Sequence, residues 1–263
     1  MRTAEELKNI VKEKYGEIVE KSSKSCACCG GDEEKDYSVL AEDYANLEGY
    51  NPEADLQLGC GIPTRYAQIN KGDTVVDLGS GAGNDCFVAR ALTGEEGRVI
   101  GLDFTDRMVS KARENARKLG YENVEFVLGE IEHIPIPEYT ADVVVSNCVM
   151  NLVPDKTKAF QETYRILKKG GHFSISDIVL KGEIPEGLRN DAAMYAGCVS
   201  GALQLEDYLD IVRKAGFREL IIQVKKKMDL EEEIYMKYFT REEMEAFRQS
   251  DKGIFSITLN AKK

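Results

Sequence analysis

From Lys71 onward the sequence alternates short β-branched segments with amphipathic ones, and this alternation restricts the fold more than any other feature. The β-branched segments predict strands, and stretches with apolar residues at helical spacing separate most of them. Strands that alternate with helices predict a parallel sheet covered on both faces. Right-handed crossovers place the C-terminal ends of such strands along one edge, here called the C-terminal rim. The five predicted strands are GDTVVDL, RVIGLD, NVEFVLGEIE, TADVVVSN and HFSISDIVL.

Three helices are predicted between these strands. The first runs from Asp85 to Leu92. The second has Thr105 as its N-cap and stops at Gly120, because glycine is the usual residue just past a helix end. The third is opened by Pro154 and closed by the glycines of ILKKGG.

The segments on either side of this region complete the fold prediction. An amphipathic helix begins the chain, and a helix in EDYLDIVRKAGF and strands in RELIIQVK and GIFSITLNA end it. We therefore predict an α/β protein with a Rossmann-like, seven-stranded, mostly parallel sheet and helices on both faces. Its expected parts are a helical, Cys-bearing extension (1–69), a Rossmann-like core (70–181), and an insertion followed by sheet-completing helices and strands (182–263).

The charge balance limits the classes of partner. The 263 residues include 35 Lys and Arg against 46 Asp and Glu, a net charge of -11, and no basic block offsets it. Phosphate backbones and anionic membranes would be repelled by such a surface, so neither nucleic acid nor membrane is an expected partner. With no secretory signal pattern and no apolar run of membrane-spanning length, we expect a cytoplasmic protein with reduced cysteines.

A glycine-rich loop follows the first predicted strand. In DLGSGAG, three alternate glycines stand between a strand and a helix, the context of a nucleotide-type loop, although a tight turn would also explain them. Asp103 ends the second strand, where a carboxylate can accept hydrogen bonds from a ribose. Asp77 makes the loop acidic, which favours a ligand with ammonium and sulfonium groups over a dinucleotide. The expected cofactor is therefore S-adenosylmethionine rather than NAD.

Residues 70–180 resemble class I S-adenosylmethionine-dependent methyltransferases in this loop, in Asp103 and in the turn ILKKGGHF. The resemblance implies that the loop glycines hold the methionine part, that Asp103 holds the ribose and that residues 129–132 flank the adenine. The predicted cofactor-binding residues are Asp77, Gly79, Ser80, Gly81, Gly83, Asp103, Ile131, Glu132 and Asn147.

Three scattered cysteines stand at positions where a ligand could reach them. Cys148 follows the fourth strand and so belongs to the C-terminal rim, Cys60 lies between two glycines, and Cys198 lies in the insertion. A buried small side chain, a turn and helix packing would also explain them. None of the three belongs to a Cys-x-x-Cys pair, the cluster Cys26-x-Cys28-Cys29 lacks a matching second half, and no histidine is suitably placed. No structural metal is therefore expected. Cys86, in the first helix, is interpreted as a packing residue.

Five further motifs, LGCGIPT, DLGSGAGNDCF, GEIEHIP, SNCVMNLVPDK and AGCVSGAL, together with the ending GIFSITL, resemble the arsenite methyltransferase family. The resemblance implies that thiolates of Cys60, Cys148 and Cys198 hold trivalent arsenic as substrate. Sulfur suits this soft centre, and the arsenic lone pair needs no general base to attack a methyl group.

The same resemblance implies a redox relay, because methyl transfer formally oxidises arsenic. A cysteine near the N-terminus takes part in it, and Cys26, Cys28 and Cys29 are the candidates. The expected partners are arsenite or its thiol conjugates and a small-molecule or protein dithiol reductant. Two other functions remain open: a methyltransferase acting on a small organic molecule with structural cysteines, and a metalloid or zinc sensor. The sequence does not set an oligomeric state.

Overall fold

The structure is a computed structural model that describes residues 4–24, 42–183, 185, 201–228 and 232–263. A long N-terminal helix and a short second helix precede the alternating region. The helices are α1 (Ala4–Lys24), α2 (Pro63–Tyr66), α3 (Asn84–Thr93), α4 (Asp106–Leu119), α5 (Lys156–Ile166), α6 (Leu205–Lys214), α7 (Glu232–Tyr235) and α8 (Arg241–Gln249). The strands are β1 (Thr74–Leu78), β2 (Arg98–Asp103), β3 (Val124–Leu128), β4 (Ala141–Asn147), β5 (Leu167–Lys181), β6 (Leu203–Gln204), β7 (Arg218–Met228) and β8 (Gly253–Lys262).

One sheet contains all of these strands. Its order is β3-β2-β1-β4-β5-β8-β7, and the two-residue β6 pairs with β5 outside this path. The first five strands run parallel to one another, whereas β8 lies between β5 and β7 and runs antiparallel to both. This confirms the predicted Rossmann-like α/β fold and its seven main strands, with β6 as one short addition. The order reverses between β1 and β4, where doubly wound sheets bind their ligands.

The core lies on both faces of the sheet. In β1, Val76 and Leu78 pack into one apolar cluster and Val75 into another, and neighbouring residues of β4 divide in the same way. Because both faces are covered, these strands are continuous apolar runs rather than alternating ones. This explains why their β-branched segments are so clear in the sequence.

Several boundaries differ from the predicted ones. Helix α5 begins at Lys156, with Asp155 as its N-cap accepting a hydrogen bond from the backbone N–H of Lys158, so Pro154 lies outside the helix. The helix ends at Ile166, and the two glycines expected to close it belong to β5, where the pairing with β4 is irregular. The third strand stops at Leu128, because the chain turns there and forms a short 3-10 helix at 131–133.

Four of the predicted site residues lie outside the described residues. They are Cys26, Cys28 and Cys29, which follow α1, and Cys198 of the insertion. Among the helices that are described, none has the length and apolar character needed to cross a membrane.

Candidate functional site

A pocket opens at the C-terminal rim, where β1, β2 and β4 end. Most of the residues predicted to bind the cofactor are in its wall: Asp77, Gly79, Ser80, Gly81, Asp103, Ile131, Glu132 and Asn147. Cys148 also lines the pocket, as does Gly59, the neighbour of Cys60. Gly83 does not line it: a Cβ there would lie 2.8 Å from the Phe87 ring, so this glycine allows helix α3 to pack closely on the loop.

The loop after β1 has a conformation that leaves free space beside Gly81. Gly79, Gly81 and Gly83 have positive φ angles of 75°, 52° and 101°. The N–H of Gly79 donates to Leu102 O at 2.7 Å, and the N–H of Gly81 donates to Asp103 Oδ2 at 3.0 Å. A Cβ at Gly81 would meet only the sulfur of Met108, at 4.0 Å. Gly81 therefore borders a cradle large enough for a ligand group.

Two buried polar atoms in the pocket wall lack a partner in the described part of the chain. They are the hydroxyl oxygen of Ser80 and the side-chain oxygen of Asn84. Buried polar atoms are nearly always hydrogen-bonded in folded proteins. Both atoms therefore mark positions at which a bound molecule would supply the missing hydrogen bond.

Two buried carboxyl groups, Asp77 and Asp103, and the half-buried Asp85 give the pocket its electrostatic character. Burial and the nearby Asp85 carboxyl raise the pKa of Asp77 well above its usual range. Burial also raises the pKa of Asp85 to about 6 and shifts the pKa of Asp103 upward. Their hydrogen-bond partners are the Cys86 thiol, hydroxyl, amide and backbone N–H groups rather than cationic side chains. A cationic ligand would relieve this burial of negative charge, because opposite charge favours the ionised carboxylate.

Helix α1 forms a part of the pocket wall that the sequence did not reveal. Lys8, Val11 and Tyr15 line the cavity. The Lys8 ammonium lies 2.8 Å from Glu130 Oε2 and 3.1 Å from Glu132 Oε1, and so ties α1 to the segment after β3. The apolar stripe of α1 predicted that the helix packs on something, but only the tertiary structure shows that it covers this pocket.

Cys60 and Cys148, far apart in sequence, lie in the same buried apolar cluster. The cluster also contains Ile178, Leu180, Ala202, Tyr235, Met244 and Ile254. Cys60 is 2% exposed and Cys148 is 5% exposed. Both thiols lie close enough to the Tyr208 hydroxyl to help raise its pKa, after burial and Asp177. The structure thus brings together two of the three predicted arsenic ligands.

The backbone presents Cys148 in an unusual way. Its φ angle is +59°, a left-handed conformation that costs a non-glycine residue free energy. Its N–H donates to Ser176 O on the neighbouring strand at 2.7 Å, which fixes the turn at the end of β4. Residues held in such conformations tend to occur at functional sites.

Cys60 is fixed by contacts on both sides. Its N–H donates to Asn147 Oδ1 at 3.1 Å, and its carbonyl oxygen accepts a hydrogen bond from the Ser256 hydroxyl at 2.6 Å. A Cβ on Gly61 would lie 2.6 Å from Ser176 Oγ, so the second glycine permits the loop to touch β5. Ser256, in the closing motif GIFSITL, had no predicted role.

A buried acid beside the thiols was also missed by the sequence analysis. Asp177 of β5 is fully buried, and its carboxyl accepts hydrogen bonds from the Ile178 N–H at 2.9 Å and the Tyr208 hydroxyl at 3.3 Å. Burial raises its pKa from 3.8 to about 7. The alternation of its strand predicts burial at this position, but a carboxylate in the core contradicts the usual composition of a buried strand.

This acid predicts a pH dependence of stability. Between pH 4 and 7 the unfolded chain has Asp177 ionised while the folded chain keeps it protonated, so stability falls as the pH rises through this window. We expect this group to cost about 4 kcal/mol above pH 7, from about 1.4 kcal/mol for each of roughly three pH units. Urea unfolding at pH 5 and pH 8 should show that Asp177→Asn loses less stability between the two values than the wild type. Equal losses in both proteins would contradict the assignment.

Comparison with known proteins agrees with these features. A family profile described as a methyltransferase domain matches residues 69–216, more than half of the chain. Arsenite methyltransferase from Halobacterium salinarum is 41% identical over 236 residues, which cover 85% of this chain and 60% of that protein. The Mus musculus arsenite methyltransferase is 34% identical, over 82% of this chain and 59% of that protein. The chain thus spans about 60% of the length of these curated relatives.

A solved structure shows the same similarity. The crystal structure of an arsenic(III) S-adenosylmethionine methyltransferase from Chlamydomonas reinhardtii superposes with a TM-score of 0.65 at 32% sequence identity. The match covers 78% of this chain and 67% of that one. Profile, sequence identity and superposition agree, and the chain belongs to the arsenite methyltransferase family within the methyltransferase-domain proteins.

Proposed function

We propose that the protein transfers a methyl group from S-adenosylmethionine to trivalent arsenic held by cysteine thiolates. The observation that carries the proposal is the meeting of Cys60 and Cys148 in one buried cluster beside the pocket. A methyltransferase that used its cysteines only for packing would not need two thiols from distant segments at this place. The relatives named arsenite methyltransferase support the same chemistry.

The residues of the pocket fit S-adenosylmethionine. When bound, this cofactor supplies a methyl group on a positively charged sulfur. Asp103 and the cradle at Gly81 suit its ribose and methionine parts, and the unpartnered oxygen atoms of Ser80 and Asn84 can bond its polar groups. The buried carboxyls favour its positive charge. Ile131 and Glu132 suit the adenine end of the cavity.

The third predicted arsenic ligand is Cys198. Ala202, four positions later in the chain, packs in the same cluster as Cys60 and Cys148. Cys198 itself lies outside the described residues, and its part as the third ligand is proposed from the family resemblance. Arsenous acid would form three arsenic–sulfur bonds with these residues, and each thiol proton would leave with a hydroxyl group as water.

In methyl transfer, the protein's own residues hold the arsenic and shield it from water. Three thiolates leave the arsenic lone pair as the nucleophile, and the apolar cluster keeps water from it. Transfer raises arsenic formally from the trivalent to the pentavalent state. Two electrons return when a pair of thiols becomes a disulfide, which a dithiol reductant then reopens. Cys26, Cys28 and Cys29 are the proposed relay candidates.

The proposal is tested by incubating the protein with arsenite, labelled S-adenosylmethionine and a dithiol, and then separating the arsenic species. We expect labelled methylated arsenic whose formation requires the protein. If the protein binds S-adenosylmethionine but forms no methylated arsenic, the alternative of a small organic substrate gains support. A sensor would bind arsenic or zinc, but adding S-adenosylmethionine would not raise the melting temperature of the protein.

The contact between α1 and the pocket gives a prediction for the cofactor. Replacing Lys8 by alanine removes the ion pairs to Glu130 and Glu132 and loosens the cover over the cavity. We expect the Kd for S-adenosylmethionine, measured by calorimetry, to rise about threefold to tenfold, the range of a partly buried ionic contact. Arg241→Ala removes an ion pair to Glu232 outside the pocket and is the matched control. Equal effects of both changes would show that α1 does not cover the cofactor.

A further inference from the structure

The side chain of Asn147, the last residue of β4, forms hydrogen bonds mainly with other groups of the protein. Its Oδ1 accepts the Cys60 N–H at 3.1 Å, and its Nδ2 donates to Gly61 O at 2.8 Å. The same Nδ2 lies 2.8 Å from the Tyr44 hydroxyl and 3.3 Å from Asp85 Oδ2. One amide group therefore holds the backbone on both sides of the Cys60 thiol.

The contact between Asn147 and the Cys60 loop requires a glycine at position 59. A Cβ on Gly59 would lie 2.4 Å from Asn147 Nδ2 and 2.9 Å from its Cγ, closer than real contacts allow. The loop thus lies directly against the Asn147 amide, with no space for a side chain between them. Both hydrogen bonds to the loop depend on this close approach.

Asn147 also precedes Cys148 in the chain. The Cys148 N–H is fixed by Ser176 O, so the position of Asn147 relative to the second thiol is set by the backbone. The first thiol's loop is then fixed relative to the second thiol through a single side chain. Tyr44 and Asp85 extend this network to the first turn of α3, directly after the glycine loop.

We infer that Asn147 is a positioning residue that sets the spacing of the Cys60 and Cys148 thiols, and that it is not primarily a contact for the cofactor. The effect of Asn147 on catalysis rests on the proposed function. Its effect on the spacing of the two thiols can be tested independently of that function. This positioning role replaces the cofactor contact predicted for Asn147 from the sequence.

The test uses the full chain as wild type, Asn147→Ala and Asn147→Asp. The alanine removes both halves of the contact, whereas the aspartate keeps an acceptor for Cys60 and loses the donor to Gly61. Asn123→Ala is the matched control, because that amide donates to Gly94 O and Gly97 O, each at 2.9 Å, away from the pocket. Melting curves identify any variant that does not fold, and the aspartate then serves as the second variant.

Two measurements address the thiols and one addresses the cofactor. Dibromobimane, which becomes fluorescent when it bridges two neighbouring thiols, reports their spacing, and peptide mass mapping identifies the Cys60–Cys148 bridge. Arsenic–thiolate absorbance in the ultraviolet reports arsenite binding. Calorimetry reports the Kd for S-adenosylmethionine.

We expect both Asn147 variants to lose at least about fivefold in Cys60–Cys148 bridging and about tenfold in arsenite affinity, because two partly buried hydrogen bonds to the loop are lost or weakened. In Asn147→Ala, cofactor affinity should stay within about threefold of wild type, because only a secondary contact changes. Asn147→Asp adds a carboxylate beside Asp85 and is therefore compared only in the thiol measurements. Unchanged bridging with a large loss of cofactor affinity would overturn the inference, as would a wild type in which these two thiols do not bridge. Efficient wild-type bridging that depends on Asn147, without arsenite methylation, would refute the proposed function and leave this inference standing.

Discussion

Replacing Cys148 by serine is expected to lower the rate of arsenite methylation at least about a hundredfold, because a hydroxyl is a poor ligand for a soft centre such as trivalent arsenic. Serine is nearly the same size and keeps the backbone N–H that donates to Ser176 O, so the turn after β4 should survive. Cofactor affinity should therefore remain within about threefold of the wild type. Product analysis with labelled S-adenosylmethionine measures the first effect, and calorimetry measures the second.

Cys86 provides the matched control for this change. Its thiol is fully buried and donates to Asp77 Oδ2 at 3.3 Å, and a serine hydroxyl can replace that donor. Cys86→Ser should keep methylation within about threefold of wild type, because the hydrogen bond is retained. Cys60→Ser should behave as Cys148→Ser does. Wild-type methylation by Cys148→Ser would refute the thiol site, and an equal loss in Cys86→Ser would point to general damage instead.

The fold was predictable because its signals are local. Both faces of β1 and β4 are covered, so their apolar runs are continuous, and the positive φ of Gly120 matches its predicted place at the end of α4. The ends of α5 were less predictable. Both Pro154 and Asp155 can begin a helix, and the start is set by the Asp155 carboxylate, which accepts a hydrogen bond from the Lys158 N–H. The glycines after α5 lie in β5 between the pairs Ala141–Leu167 and Val143–His172, where its pairing with β4 is irregular, so the usual helix-closing signal was misleading.

In the candidate site, too, the features with a local sequence signal were predictable and those made by tertiary contacts were not. The loop after β1 and Asp103 were found from the sequence because strand, glycines and acid lie in a fixed local order. The contacts that hold Cys60 could not be found in this way, since Asn147 and Ser256 meet its loop only through the tertiary fold. The left-handed conformation of Cys148 had no local signal either, because cysteine is not a residue that favours it.

A side chain at Gly81 should block the cofactor without preventing folding. The φ of +52° makes leucine there cost about 1–2 kcal/mol of stability, the usual penalty for a left-handed residue. A Cβ would meet only Met108 Sδ, at 4.0 Å, so the leucine would extend into the cradle rather than into the core. The N–H that donates to Asp103 is retained. We expect Gly81→Leu to weaken S-adenosylmethionine binding at least about a hundredfold, because the side chain occupies the space the ligand needs.

Gly120 separates the effect of backbone strain from the effect of blocking. Its φ is +68°, and a Cβ there would meet nothing within 4 Å, so Gly120→Leu carries a similar backbone cost outside the pocket. Both variants should unfold at a similarly lower urea concentration, while only Gly81→Leu should lose heat of cofactor binding in calorimetry. If Gly81→Leu binds S-adenosylmethionine as tightly as Gly120→Leu does, the cradle is not where the methionine part lies. If both lose binding, the loss comes from destabilisation, and Gly81 has no special place in the cofactor site.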